Sequence, residues 1–338
     1  MKIAVFATKP YDRRFLDEAN RRHGHELTYF EPRLDLSTAP LANGFDAVCV
    51  FVNDRLDAAT LKALAGNAVR AVALRCAGYN NVDLRAAEAL GLTVIRVPAY
   101  SPEAVAEFTV ALLLAVDRNI PRAWARVREN NFALEGLIGR NLSGRTVGVI
   151  GTGRIGALVA RSLLLGFGCR VLAHDVVEDP EMVEIGVRYV DRDELLRASE
   201  IITLHCPLTP DTRHIIDARA LDLAPAGVTV VNTSRGALID TPALIAGLKS
   251  GKVGGVALDV YEQEGDLFFE DLSNEIVQDD VFQRLLTFPN VLITGHQAFL
   301  TQEALTAIAE TTLAGLTEIE AGRTPANRVT SDSLRPAA

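Results

Sequence analysis

Short apolar runs alternate with amphipathic stretches along most of the chain. In the first hundred residues KIAVF, ELTYF, AVCVF, AVALRC and LTVIRV are compact apolar runs bounded by polar or turn-forming residues, which predicts strands. Between them RRFLDEANRR and DAATLKALAG carry helical spacing, and VDLRAAEALG closes on Gly91, a residue suited to a helix C-terminus. Strands separated by helices predict a parallel sheet covered on both faces.

A second series begins after RVPAYSPEAVAEF. Its strands are TVGVI (146–150), CRVLAH (169–174), IITLHC (201–206), VTVVNT (228–233), GGVALDV (254–260) and NVLIT (290–294). Pro98 and Pro102 favour an extended connection followed by a helix start. The predicted class is α/β with two domains, each a parallel sheet flanked by helices. TQEALTAIAETTLAGLTEIEAG repeats apolar residues at Leu305, Ile308, Ala309, Leu313, Leu316 and Ile319, a helix with one buried stripe. Coming after the second series, it can return to the first domain and make that domain discontinuous.

Composition narrows the function classes. A length of 338 residues suits two domains, and 49% hydrophobic with 23% charged residues is ordinary for a globular protein. A net charge of −9 argues against nucleic acid as the main partner, because phosphate binding needs a basic face. The N-terminal MKIAVFATKPYD lacks the apolar core and cleavage site of a signal peptide, and the longest apolar stretch, FTVALLLAV (108–116), is about half of what spans a bilayer. No membrane partner is expected. Cys49, Cys76, Cys169 and Cys206 follow no metal-ligand spacing, so no metal is expected; buried free thiols in a reducing cytoplasm are the plain reading.

The strongest local signal is TVGVIGTGRIGALVARSLLLGFGCRVLAHD (146–175). A strand runs into Gly151-Thr152-Gly153-Arg154-Ile155-Gly156 and an amphipathic helix follows, the context a dinucleotide fold requires. Gly151 permits the tight turn, Gly153 admits a pyrophosphate, and Gly156 lets helix and strand pack closely, while the helix N-terminus offers N–H groups to the anion. The next strand ends at Asp175, placed to accept hydrogen bonds from the adenosine ribose hydroxyls and to repel a 2′-phosphate, so NAD is expected rather than NADP. Methyltransferases use a similar loop and acid, so a redox site is needed as well.

Three stretches supply candidates where strands of the second series end. VVNTSRGALID delivers Arg235, GGVALDVYEQEGDLFFED offers Asp259, Glu262 and Glu264, and NVLITGHQAFL delivers His296. Reducing a 2-oxo acid needs a fixed cation for the carboxylate and carbonyl oxygen, and a proton donor near neutral pH. Arginine supplies a planar fork for a carboxylate. Histidine titrates nearest physiological pH, and a neighbouring carboxylate orients its ring and favours the protonated form. His296 is thus the expected acid/base, with Glu264 and Arg235.

VIGTGRIG, HCPLTPDTRHII, VNTSRGALID, LDVYE and the histidine loop, in that order, resemble the D-isomer-specific 2-hydroxyacid dehydrogenase family over nearly the whole chain. CAGYNNVD, VPAYSPEAVAEF, DVYEQEGDLFFED and TGHQAFLT are similar to its fermentative NAD-dependent D-lactate branch. The resemblance implies a flavodoxin-like substrate domain formed by 1–99 and 299–338, a Rossmann NAD-binding domain at 100–298, and hinges near 100 and 298. It implies that Arg235 binds the substrate carboxylate and polarises the carbonyl, and that His296, paired with Glu264 rather than Glu262, donates the proton. Backbone N–H groups near Ala77 and Gly78 would hold the carboxylate, Tyr100 would approach it, and Phe299 would limit the side-chain pocket to something like a methyl. His205, Cys206, Pro207, Thr209, Thr233 and Ser234 would line the cofactor, and Asp259 would contact the nicotinamide carboxamide. Phe108 and His174 depart from residues common in relatives. The implied activity is reversible, NADH-dependent reduction of pyruvate to D-lactate. The alternatives are reduction of glyoxylate, hydroxypyruvate or a bulkier 2-oxo acid, or an NAD-sensing interaction protein. FTVALLLAV and RAWARVRENNFALEG resemble a dimer-forming arm, which implies a homodimer or a homotetramer.

Overall fold

The computed structural model describes residues 1–334; the last four residues of the expected segment 299–338 lie outside them. The chain divides into two units, one comprising Met1–Ser101 with the segment from Phe299 onward, the other Pro102–Ala298. The first division falls where Pro102 opens the helix Pro102–Asp117, so Tyr100 and Ser101 belong to the first unit.

In the first unit the strands are β1 (Lys2–Val5), β2 (Glu26–Tyr29), β3 (Ala47–Val50), β4 (Ala71–Leu74) and β5 (Thr93–Ile95), all parallel in the order β2-β1-β3-β4-β5. That is the flavodoxin-like order. Strand alternation divides the apolar side chains between two cores. Ile3, Val5, Ala47, Cys49, Ala71 and Ala73 meet Leu16 and Ala19 of the helix Pro10–His23 and Ala309, Leu313 and Leu316 of the helix Gln302–Glu320. Ala4, Phe6, Val48, Val50, Val72 and Leu74 face Leu61, Leu64, Leu84 and Ala87 on the opposite side. The last long helix therefore completes the first unit.

In the second unit the strands are β6 (Thr146–Ile150), β7 (Arg170–His174), β8 (Arg188–Tyr189), β9 (Ile201–Leu204), β10 (Val228–Asn232), β11 (Val253–Leu258) and β12 (Val291–Ile293). They are parallel throughout, in the order β12-β11-β10-β9-β6-β7-β8. Six of these positions reproduce the dinucleotide-binding order, with β12 added at one edge. One face packs Val147, Val149, Val171 and Ala173 against Leu112, Leu113, Val159 and Ala160. The other packs Ile150, Ile202, Val230 and Val256 against Leu195, Leu221, Leu244 and Leu248. Buried on both faces, the strands read as nearly continuous apolar runs. The helices that cover the sheet begin on acidic caps: Asp191, Asp217, Asp240 and Asp279 each accept a backbone N–H three residues on.

Two strands are absent from the sequence-based expectation. β13 (Arg328–Val329) pairs antiparallel with β5, so the first sheet is parallel except at that edge. β8 adds a two-residue edge beside β7. Strands this short carry no alternation that a sequence pattern could reveal.

Candidate active site

All seven strands of the second sheet run the same way, so their C-terminal ends share one edge. Along that edge the strand order sets His296 after β12, Asp259 and Glu264 after β11, Arg235 after β10, His205 and Cys206 after β9, Gly151 after β6 and Asp175 after β7. The candidate acid/base lies at one end of the row and the glycine turn further along it.

His296 and Glu264 meet directly. Nδ1 of His296 lies 2.7 Å from Glu264 Oε1, with both side chains mostly buried. A carboxylate accepts only, so Nδ1 carries the proton of this bond and Nε2 is the atom left to exchange one. The second carboxylate oxygen accepts the backbone N–H of Tyr261 at 2.9 Å, which fixes the carboxylate plane. The Phe269 ring lies 5.7 Å from the imidazole. Glu262, the neighbouring acid, points elsewhere: its carboxylate contacts His214 Nε2 at 2.6 Å and the Thr241 hydroxyl at 3.1 Å. The structure thus separates two carboxylates that sequence spacing leaves equivalent.

His296 adopts φ 54°, a left-handed conformation unusual for a residue with a side chain. Asp259 holds it there. Its carboxylate is fully buried and accepts the Thr294 hydroxyl at 2.6 Å and the N–H groups of Gln297 and Ala298, each at 2.8 Å, while its backbone carbonyl accepts the His296 N–H at 2.7 Å. Burial raises the Asp259 pKa, with the hydrogen bonds acting in the opposite direction. Asp259, expected as a cofactor contact, also accepts three donors within the fold and so braces the histidine turn.

Arg235 leaves β10 through a loop built on Asn232, which is fully buried. Asn232 Nδ2 donates to the Arg235 carbonyl at 2.9 Å, and Asn232 Oδ1 accepts the Ser234 N–H at 3.0 Å. Ser234 Oγ donates to the Cys206 carbonyl at 2.9 Å, tying this loop to the one after β9. Gly236 allows the loop to abut the Glu264 segment, since a Cβ there would collide with the Tyr261 backbone. Arg235 itself is half-buried, and its Nη1 donates to the Ser234 carbonyl at 2.7 Å. Thr233 shares a 2.8 Å hydroxyl contact with Thr109.

The glycine turn has the expected shape. Gly151, at φ 91°, approaches the loop after β9 so closely that a Cβ would lie 2.5 Å from the Cys206 nitrogen. A Cβ on Gly156 would collide with the Gly151 carbonyl oxygen. Gly153 faces open space, with no atom within 4 Å of where its Cβ would stand. Arg154 opens the helix Arg154–Arg161 and is exposed, and Ile155 is half-buried behind it. His205 Nε2 lies 2.8 Å from the Thr203 hydroxyl, and burial pushes its imidazole down to about 3. Thr209 and Pro207 are braced by Thr212, whose hydroxyl donates to the Pro207 carbonyl at 2.7 Å.

In the first unit, Ala77 and Gly78 follow β4 on a loop held by Arg96 Nη1 at 2.9 Å from the Ala77 carbonyl and by Cys76 Sγ at 3.2 Å from the Gly78 carbonyl. The Phe299 ring lies 6.2 Å from Tyr100 and 5.8 Å from Phe51. Sequence reasoning missed Phe51, Thr109, Asn232 and Phe269. Of these, Asn232 alone left a signal: an apolar strand ending in Asn before Thr-Ser invites an Asx turn.

The NAD-binding-domain description of the D-isomer specific 2-hydroxyacid dehydrogenases matches residues 110–298. The D-lactate dehydrogenase of Escherichia coli is 52% identical over 329 residues, covering 97% of this chain and 100% of that protein. The chain belongs to the D-isomer specific 2-hydroxyacid dehydrogenase family. Among solved structures, the pyruvate reductase of Chlamydomonas reinhardtii superimposes with a TM-score of 0.92 at 43% identity, covering 97% of this chain and 98% of that one. D-lactate dehydrogenase from Aquifex aeolicus, solved with NAD and lactic acid, gives a TM-score of 0.86 at 32% identity over 99% and 100% of the two chains. This member of the family is an NAD-dependent oxidoreductase acting on 2-hydroxy acids.

The residues present suit NAD. The open space before Gly153 beside a helix N-terminus leaves room for an anion such as a pyrophosphate, and the half-buried Asp175 offers an acceptor at the end of β7. No helix among the described residues is long and apolar enough to cross a membrane.

Proposed function

We propose that this enzyme reduces pyruvate to D-lactate, reversibly, with His296 as acid/base. NADH, when bound, supplies the hydride that the carbonyl carbon accepts. Arg235 grips the substrate carboxylate through its guanidinium fork and polarises the carbonyl oxygen. His296 passes its Nε2 proton to that oxygen as it gains charge, and Glu264 keeps Nδ1 protonated and stabilises the imidazolium in the reverse direction. Asp175 takes the ribose hydroxyls, and the loops bearing Cys206, Pro207, Thr209, Thr233 and Ser234 line the cofactor.

The observation that carries this reading is the 2.7 Å His296–Glu264 couple, standing after β12 and β11 on the edge that also bears the glycine turn. The names of two similar proteins, D-lactate dehydrogenase and pyruvate reductase, support pyruvate as the substrate. So does Phe299, which with Phe51 and Tyr100 forms an aromatic cluster suited to limiting the substrate side chain to a methyl. Ala77 and Gly78 are the first unit's candidates for the carboxylate. The test is pyruvate-dependent NADH oxidation with chiral analysis of the product. D-lactate as the product supports the assignment; L-lactate, or a kcat/KM for glyoxylate or hydroxypyruvate well above that for pyruvate, contradicts it.

Two further readings accompany the activity. The segment from Ile120 to Ile138 exposes Trp124, Phe132, Leu134 and Ile138, the last 92% accessible, and this apolar surface supports a homodimer or a dimer-based tetramer. Sedimentation equilibrium showing a monomer would exclude both. Four buried cysteines, with no disulfide among the described residues, support a reducing cytoplasm as the compartment.

A further inference from the structure

Beside Asp175 runs a chain of hydrogen bonds that the proposed reaction does not use. The backbone N–H of Asp179 donates to the Tyr189 hydroxyl at 3.0 Å. Tyr189 donates to Thr152 Oγ1 at 2.8 Å, and the Thr152 hydroxyl lies 3.1 Å from Asp175 Oδ2. The Thr152 N–H reaches the same oxygen at 2.5 Å, and the Val176 N–H reaches Oδ1 at 2.7 Å.

The ends of this chain fix its direction. An amide N–H can only donate and a carboxylate can only accept. Thr152 has one hydroxyl proton, and the contact with Asp175 consumes it, so the proton between Tyr189 and Thr152 comes from tyrosine. Thr152 is buried and Tyr189 half-buried, so water competes weakly for these positions. Tyr189 thereby holds both ends of the exposed segment from Asp175 to Asp179: one end directly, the other through Thr152.

We infer that Tyr189 is a specificity-determining residue for NADH over NADPH, acting as a positioning residue through Thr152 on Asp175. The inference rests on the proposed role of Asp175 as the ribose ligand. A carboxylate pinned in one orientation offers fixed acceptors to two ribose hydroxyls and a fixed negative charge to a 2′-phosphate. Freed of Tyr189, the Thr152 hydroxyl can rotate, the Asp179 end of the segment loses its tether, and the carboxylate samples orientations that discriminate less.

The experiment measures Kd for NADH and for NADPH by nucleotide fluorescence on the protein without substrate, with Tm recorded for each variant. Tyr189→Phe is expected to weaken NADH binding by about three- to tenfold, the worth of about one buried hydrogen bond. NADPH binding stays within about twofold, so the selectivity ratio falls. Thr152→Val should lower the ratio to a similar extent, Tyr189→Phe/Thr152→Val no further than either alone, and Thr152→Ser should restore it. A lowered Tm with an unchanged ratio in Tyr189→Phe would make the contact purely structural and overturn the inference. If Tyr189→Phe does not fold, equal ratios in Thr152→Val and Thr152→Ser would overturn it instead. Asp175→Asn separates the two levels. A ratio unchanged there removes the underlying reading of Asp175, whereas a ratio changed there but not in Tyr189→Phe removes only the role of tyrosine.

Discussion

Replacing Asp259 by alanine tests whether a buried acid holds the histidine turn. The substitution strips acceptors from three donors: the Thr294 hydroxyl and the N–H groups of Gln297 and Ala298. They do not suffer equally. The Thr294 hydroxyl already lies 3.4 Å from the Leu258 carbonyl and can turn to it, and Gln297 is exposed enough for water to replace the lost acceptor. The Ala298 N–H is buried and has no such substitute, so it bears the full cost of an unsatisfied donor, about 1–3 kcal/mol. The other two add roughly 1 kcal/mol each, and release of a buried carboxylate, whose pKa burial raises, returns part of this. The net expectation is a loss of about 2–4 kcal/mol in unfolding free energy. With the brace gone, the left-handed φ of His296, which costs about 1–3 kcal/mol to maintain, relaxes and swings the ring away from Glu264. Turnover should fall by roughly 10- to 100-fold, in line with a misplaced catalytic group. Urea denaturation of the protein without cofactor, together with kcat at saturating substrates, measures both effects. Unchanged stability and unchanged kcat in Asp259→Ala would refute the bracing role.

Other expectations follow from the same geometry. Burial lowers His205 to about 3 from an ordinary value near 6.5, so folding favours its neutral form. The stability this confers is full above pH 6.5 and is lost as pH falls toward 3, amounting to about 1–2 kcal/mol between pH 7 and pH 5. Urea titrations at the two pH values should show that loss in the wild type and a smaller one in His205→Gln; equal losses would contradict the assignment. Glu264→Gln should lower kcat by about 10- to 100-fold, because the amide no longer stabilises the imidazolium, whereas Glu262→Gln, which keeps partners on His214 and Thr241, should stay within about threefold. Steady-state kinetics showing the reverse ranking would exchange the roles of the two acids. Gly236→Ala forces a Cβ against the Tyr261 backbone, so it should raise KM for the 2-oxo acid at least about tenfold by displacing Arg235; an unaltered KM would detach that loop from substrate binding.

The large features of both units were legible because strands buried on two faces show as unbroken apolar runs, and because Gly151 and Gly156 each stand where a side chain would collide with the backbone. The alternation of strand and helix gave the sheets, and the single apolar stripe from Leu305 to Leu316 told which helix could return to the first unit. What escaped was short or depended on partners distant in sequence. Arg328–Val329 and Arg188–Tyr189 become strands only through pairing with β5 and β7, which two residues cannot announce. In the site, an arginine, an acid and a histidine at strand ends could be named from residue type. The choice of Glu264 over Glu262 came from the family resemblance and not from residue type or spacing, since physically it depends on His214, nearly fifty residues away, taking one of them. The position of Asp259 at the end of a strand likewise does not reveal that Thr294, Gln297 and Ala298 fold back over it. Tyr189 gave no signal at all, because its role depends on the loop geometry at Thr152 and Asp179.

The claim on which the proposed chemistry stands is that His296, held by Glu264, delivers the proton to the ketone oxygen of pyruvate. The most direct measurement is kcat for pyruvate reduction by His296→Gln, at saturating NADH and pyruvate, alongside its Kd for NADH. The proposed mechanism predicts a fall in kcat of about 100- to 10,000-fold with NADH affinity within about twofold of wild type. Turnover close to that of the wild-type enzyme would contradict it.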